Sequence, residues 1–250
     1  MDAAVGALTA QHAELAGLLA GLTEPDWHAP TRCEGWDVAD VVLHLAQTDE
    51  MAIASASGRF SEFMAGLARW GDVASVDDGA ASMVAGERGL PSAALAERWS
   101  SGAHRLVGVL DTMDLSTRVD WVVGQLSART LATTRLAETW IHAGDVAGAL
   151  GGELPATDRL RPIARLAWRT LPYAFTSAGR TLAGPVAFLL VSPDGDPWDF
   201  VPDEPALTTI SGPAAELCAV AARRVEPPAT TLRGVGPDAE GVLALVRTYA

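Results

Sequence analysis

The run Leu136-Ala-Glu-Thr-Trp-Ile-His-Ala-Gly-Asp-Val-Ala-Gly-Ala-Leu-Gly151 constrains this chain more than any other stretch. Its Ala, Leu, Trp and Ile predict a helix, and Gly151 with Gly152 predicts where that helix stops. Glu138 and His142 stand one helical turn apart, so their Cβ atoms lie about 5–6 Å from each other on one face. A carboxylate and an imidazole so placed converge on one point, as do the paired ligands of helix-borne metal sites. Two ligands do not hold a cation firmly. The third candidate is His44, in Asp40-Val-Val-Leu-His-Leu-Ala-Gln47. A site shared by these two segments requires their helices to face each other.

Apolar spacing predicts four long helices: residues 2–22, 38–57, Pro91 to about Leu110, and 127–150. Asp37 is the expected cap of the second, and Pro91 suits the first turn of the third. Four helices of this length predict a bundle, and bundles build metal sites in their cores from facing helices. Between Gly58 and Gly89 a partial helix at 60–69 and a loop containing Trp70 are expected. Asp114 to Gln125 reads as a linker. Beyond Gly152 the texture changes. Arg159–Ser177 reads as a helix broken or kinked near Pro172. Pro185–Val191 and Trp198–Val201 read as a hairpin across a Pro/Asp/Gly turn. Ala206–Ile210 is a further strand, and helices at 213–225 and 237–249 close the chain. The expected fold class is α+β: a helical bundle over 1–152 and a smaller C-terminal α/β domain over 153–250.

The net charge of -13 argues against nucleic acid or anionic membrane partners, since phosphate is repelled by such a surface. All 18 basic residues other than histidine are arginine. The N-terminus lacks the basic start of a signal peptide, and the apolar runs are too short to span a bilayer. Two cysteines, Cys33 and Cys218, are too few for a disulfide framework. These features predict a cytoplasmic protein. His12, His28 and His104 have no evident partner, and Asp49 and Glu50 read as solvated. Cys33 and Cys218 read as small packed residues, Trp36 and Trp140 as core.

Spacing alone leaves a competing reading of the central helix, in which Glu138 pairs with Arg135 and His142 bonds to Asp145 with no metal involved. Further residues bear on that choice. Trp27 and Pro30-Thr-Arg-Cys-Glu-Gly-Trp-Asp-Val-Ala-Asp-Val-Val-Leu-His44 resemble the opening motif of the mycothiol-dependent maleylpyruvate isomerase family. Arg135 to Gly151 is similar to that family's second motif. The resemblance covers about 1–152 and implies a DinB-like metal-binding four-helix bundle. It implies His44, Glu138 and His142 as ligands of a divalent metal, most readily zinc. Ile210-Ser-Gly-Pro-Ala-Ala-Glu-Leu-Cys-Ala-Val-Ala-Ala-Arg-Arg224 is similar to a family segment that ends in Gly-Arg and carries a functional arginine. Here the glycine is missing, so the role falls to Arg223 or Arg224. The whole chain resembles most nearly an actinobacterial metal-binding subgroup.

The function implied is that of a metal-dependent S-transferase or isomerase. Such an enzyme activates a low-molecular-weight thiol, with mycothiol as co-substrate, and delivers it to a small electrophile. Arg223 or Arg224 is then the catalytic arginine that holds a substrate carboxylate. The alternative is a non-catalytic metal- or ligand-binding protein.

Overall fold

A computed structural model describes residues 2–67, 75–122 and 124–248. The chain divides into two compact units, with the boundary between Leu154 and Pro155. Among the described residues, no helix is long and apolar enough to cross a membrane.

The first unit begins with α1 (Ala3–Leu19), capped by the Asp2 carboxylate, which accepts from the Ala4 N–H at 2.9 Å. A single turn, α2 (Glu24–Trp27), leads into α3 (Val38–Ala56). Asp37 and Asp40 cap α3 reciprocally: the Asp37 carboxylate accepts from the Asp40 N–H at 2.9 Å, and Asp40 accepts from the Asp37 N–H. Two shorter helices follow, α4 (Phe60–Leu67) and α5 (Val76–Glu87). The second of these stands where only a loop is expected. Ser75 starts it by accepting from the Asp78 N–H, a cap signal that the scattered glycines of this stretch obscure. The expected loop with Trp70, and the last residues of the 60–69 helix, lie outside the described residues.

Next come α6 (Ser92–Thr112) and a hairpin of β1 (Arg118–Trp121) and β2 (Gly124–Ser127), which pairs Val119 with Leu126. The hairpin corrects the expectation of a linker. Its strands have only four residues each, too short for an alternating pattern to stand out. The long helix α7 (Ala128–Ala149) closes the unit. Ser127 caps its start by accepting from the Thr130 N–H. At its end Gly151 takes the left-handed φ of 74°, the Gly151 N–H bonds to the Gly148 carbonyl, and the Gly152 N–H bonds to the Ala147 carbonyl. This paired arrangement satisfies carbonyls that the last turn leaves open.

The helices α1, α3, α6 and α7 form the bundle. α1 packs on α6 and α7, and α3 packs on the same two. The core is built by Leu8 and Leu15 from α1, Val41 and Leu45 from α3, Trp99 and Leu106 from α6, and Leu131 and Leu136 from α7, all buried. Each such side chain contributes roughly 1.5–3 kcal/mol by leaving water. The packing of α3 against α7 is what matters for function, because the candidate ligands lie on these two helices.

The second unit contains α8 (Leu160–Arg169), α9 (Leu171–Ser177), β3 (Val186–Val191), β4 (Pro197–Phe200), β5 (Thr208–Pro213), α10 (Ala214–Ala221), β6 (Arg233–Val235) and α11 (Ala239–Leu245). The break or kink expected near Pro172 is a break at Thr170 into two helices. The sheet order is β4-β3-β5-β6, with β3 and β4 antiparallel as the hairpin reading expects, and β3 parallel to β5. Phe188 and Ile210, which are paired across those parallel strands, are buried, as are Phe175, Leu217 and Cys218. The mixed helix-and-sheet architecture is the α+β class that the sequence predicts.

Candidate metal centre

Within α3, His44 falls on the face that packs against α7, and only 7% of its surface is exposed. Opposite it, Glu138 and His142 rise from successive turns of α7. His44 Nε2 lies 3.5 Å from Glu138 Oε2, and His142 Nε2 lies 3.7 Å from the same oxygen. The two imidazole rings meet edge to face, with centroids 4.9 Å apart. The three donor atoms therefore all lie within 4.8 Å of one another. A tetrahedral ion with bonds of about 2.0–2.1 Å holds its ligands roughly 3.3–3.5 Å apart. Each nitrogen stands close to that spacing from the Glu138 oxygen, and two nitrogens with one carboxylate oxygen match the ligand chemistry of zinc enzymes. The residues thus fit a divalent cation.

The surrounding groups fix these side chains. Asp145 Oδ2 lies 3.0 Å from His142 Nδ1, which turns Nε2 toward Glu138. The Cys33 thiol donates to the same Asp145 oxygen at 3.3 Å. Cys33 comes from the tight turn before α3, in which the Thr31 N–H bonds to the Trp36 carbonyl and the Trp36 N–H to the Cys33 carbonyl. The turn also sets the Trp36 ring against His44, at 5.2 Å between centroids. Cys33, His142 and Asp145 form a second donor set of metal-binding size. That set uses the other ring nitrogen of His142, and its short contacts are those of a hydrogen-bonded chain that orients the ring.

Electrostatics separate the three donors. Burial keeps the His44 pKa below its usual value. Burial also works to raise that of Glu138, but the hydrogen bond from His44 and the charges of His142 and Arg135 outweigh it and hold the carboxyl at about 2. For His142, burial is outweighed by the bonds to Asp145 and Cys33 and by the Glu138 charge, which push the ring up to about 9. Glu138 is thus ionised and His44 neutral, the forms in which both can donate to a metal. The Glu138 side chain is one-fifth exposed, which gives the cluster a route to solvent.

Of the competing pairings, that of His142 with Asp145 is present beside the three-donor cluster. Arg135 does not pair with Glu138. It is buried against Asp49, Nε donating to Oδ1 at 3.0 Å, and Nη2 donates to Thr48 Oγ1 at 2.8 Å. Asp49 is therefore not solvated: it is fully buried, with His12 Nε2 at 3.8 Å from its second oxygen. Glu50 is likewise not free in solvent, since Arg98 grips both of its oxygens at 2.9 Å. His28 pairs with Asp37 at 3.0 Å, and His104 Nδ1 lies 2.8 Å from the Ser100 carbonyl. Trp36 and Trp140 are half-buried, and Trp36 packs against the hydrophobic core of the bundle. Cys218 is packed in the core, as expected. Sequence reasoning missed the contact of Cys33 with Asp145 and that of Trp36 with His44. The compact Pro-Thr-Arg-Cys-Glu-Gly-Trp turn directly before α3 is the signal that could have found both.

In the second unit, Arg223 and Arg224 follow α10. Arg223 adopts a left-handed φ of 58°, its N–H bonds to the Val220 carbonyl, and the Arg224 N–H bonds to the Ala219 carbonyl. This is the helix-ending arrangement in which glycine normally takes the left-handed place. Arg223 thus occupies a glycine seat, and its guanidinium donates to the Ala244 carbonyl at 2.8 Å. Arg224 is the residue after that seat.

The fold and the donor set define a helical-bundle protein with a candidate His–Glu–His metal centre. Residues 8–147 match the family described as the mycothiol maleylpyruvate isomerase N-terminal domain, and the chain belongs to that family. Two uncharacterised proteins from strains of Mycobacterium tuberculosis are 34% identical to it over 249 residues, spanning 98% of this chain and 95% of theirs. The crystal structure of the mycothiol-dependent maleylpyruvate isomerase is similar in fold, with a TM-score of 0.59 at 19% identity over 90% of this chain and 89% of that one. A histidine-to-alanine mutant of the same enzyme gives a TM-score of 0.59 over 89% and 88%.

Proposed function

We propose that the protein is a metal-dependent, thiol-using enzyme, an S-transferase or isomerase whose metal ligands are His44, Glu138 and His142. The observation that carries this reading is the convergence of three donors from two helices on one point, with the far nitrogen of His142 engaged by Asp145. A divalent cation there, zinc by its donor set, supplies positive charge that favours the thiolate form of a low-molecular-weight thiol such as mycothiol. The residues of the chain do the rest. Asp145 and Cys33 hold the His142 ring in its ligating orientation, and Trp36 covers one side of His44. The thiolate sulfur adds to the electrophilic carbon of an unsaturated substrate as the C=C π pair moves to the neighbouring carbon; protonation of that carbon gives a thioether, whereas rotation about the new single bond and expulsion of the thiolate give an isomer and regenerate the thiol. Arg224, next to the glycine seat, matches the family's functional arginine better than Arg223 does and is assigned to the substrate carboxylate.

The test is metal content and thiol consumption together. Purified protein is expected to carry about one divalent ion per chain and to consume thiol in the presence of unsaturated or otherwise electrophilic carboxylates. His44→Ala and Glu138→Ala are expected to lose both properties. Equal thiol consumption before and after chelation would refute the mechanism. Bound metal with no turnover across thiols would identify a binding protein instead.

A further inference from the structure

The molecule holds a second device whose placement the metal ligands alone do not explain. Thr48 lies one turn beyond His44 on α3, and its hydroxyl donates to the His44 carbonyl at 2.8 Å. Arg135 lies one turn before Glu138 on α7, and its carbonyl accepts from the Thr139 hydroxyl at 2.8 Å. The Arg135 guanidinium crosses between the helices, donating to Thr48 Oγ1 at 2.8 Å and to Asp49 Oδ1 at 3.0 Å. Arg135 is 1% exposed and Asp49 is 0% exposed. His12 from α1 adds its ring at 3.8 Å from the other Asp49 oxygen, and its edge packs on Trp99 of α6. His12 from α1, Thr48 and Asp49 from α3, Trp99 from α6 and Arg135 from α7 thus meet in a layer adjoining the candidate metal centre.

A buried ion pair of this kind is a poor choice for stability. Apolar side chains of similar volume are often as stabilising or more so, because two charges must be stripped of water. What apolar residues cannot supply is direction. A planar guanidinium with two donors engaged fixes both the separation and the register of the helices it joins. Here the bonds span α3 and α7 within one turn of His44 on one side and of Glu138 on the other.

We propose that Arg135, acting through Thr48 and Asp49, is a positioning residue that sets the distance between His44 and the Glu138–His142 pair. The inference rests on the reading of those three residues as metal ligands. Arg135 touches neither metal nor substrate. It holds the two ligand-bearing helices at the spacing that one cation can bridge.

The experiment compares the full-length protein with Thr48→Val, Arg135→Lys and the paired replacement Arg135→Met with Asp49→Leu. Zinc affinity is measured by chelator competition, ligand geometry by the visible spectrum of the cobalt-substituted protein, and folding by thermal melts of the metal-free forms. The wild type must first bind one zinc and lose it on His44→Ala; failure there overturns the metal reading and this proposal with it, whereas wild-type binding that the Arg135 and Thr48 variants leave unchanged overturns the proposal alone. Given that, the paired replacement is expected to melt near the wild-type temperature but bind zinc about 10–100-fold more weakly, the range typical of groups that orient ligands. Its cobalt spectrum is expected to shift. Arg135→Lys is expected to regain only part of the affinity. Thr48→Val removes the bond from Arg135 Nη2, together with the hydroxyl's local bond to the His44 carbonyl, without adding volume, and is expected to weaken binding several-fold with little change in the melt. It decides the matter if the paired replacement fails to fold. Wild-type zinc affinity and an unchanged cobalt spectrum in the variants that fold would overturn the proposal.

Discussion

Asp145 Oδ2 stands 3.0 Å from Nδ1 of His142, and this contact determines which nitrogen of the ring faces Glu138. Replacing Asp145 with Asn keeps the shape but removes the charge. Zinc affinity is expected to fall about 10–100-fold, as for other groups that orient a ligating histidine. Chelator competition measures this. An affinity within two-fold of wild type would show that the ring is held by other contacts.

The pH dependence of the metal-free and metal-bound forms is expected to have opposite signs. In the metal-free protein the His142 pKa is raised from 6.5 to about 9. The stability contributed by its protonated ring is complete below pH 6.5 and is lost as pH rises through about 9. A cation needs the same ring unprotonated, so zinc affinity is expected to increase from pH 6 to 8, by up to about ten-fold per unit for one displaced proton. Thermal melts with and without chelator, taken across this range, check both signs. Parallel trends would contradict the assignment of His142 as a ligand.

The stability of the bundle is expected to depend on Trp99, which is 2% exposed and packs its ring on His12. Trp99→Ala removes the largest fully buried side chain of α6 and is expected to lower stability by about 3–5 kcal/mol. Urea unfolding measures the loss. A change below about 1 kcal/mol would mean that the bundle repacks freely at this level.

Arg223 and Arg224 are expected to separate in their effects. Arg223 sits in a left-handed conformation that favours glycine, at a strain of roughly 1–2 kcal/mol. Arg223→Gly relieves that strain and forfeits the bond to the Ala244 carbonyl, so stability is expected to hold or rise by up to about 1 kcal/mol. Activity toward carboxylate substrates is expected to survive in Arg223→Gly and to fall at least ten-fold in Arg224→Ala. Melting temperatures and turnover of the two variants decide between them. The reverse pattern would assign the functional arginine to Arg223.

Much of this architecture was legible in the sequence because it depends on local periodicity. Glu138 and His142 are neighbours on any helix, and the Asp37, Ser127 and Gly151 signals mark helix ends through bonds made within a few residues. The partners of Arg135 were not legible. A guanidinium three residues from a carboxylate invites a local pairing, and only the packing of α3 on α7 shows that Asp49 claims it. The same holds for Cys33, which meets Asp145 across 112 positions of sequence. The β1–β2 hairpin escaped because its strands have only four residues each. Arg223 in a glycine seat could not be read at all, since backbone handedness leaves no trace when the residue is not glycine.

His44 and Glu138 lie 94 positions apart, on helices joined by everything between them. A cation clasping both would act as a removable cross-link, closing a loop long enough that a covalent bond in its place would restrict the unfolded chain by about 4–5 kcal/mol. Stripping the ion would therefore loosen the whole arc from α3 to α7 and not one pocket. Amide hydrogens throughout that arc would register its departure.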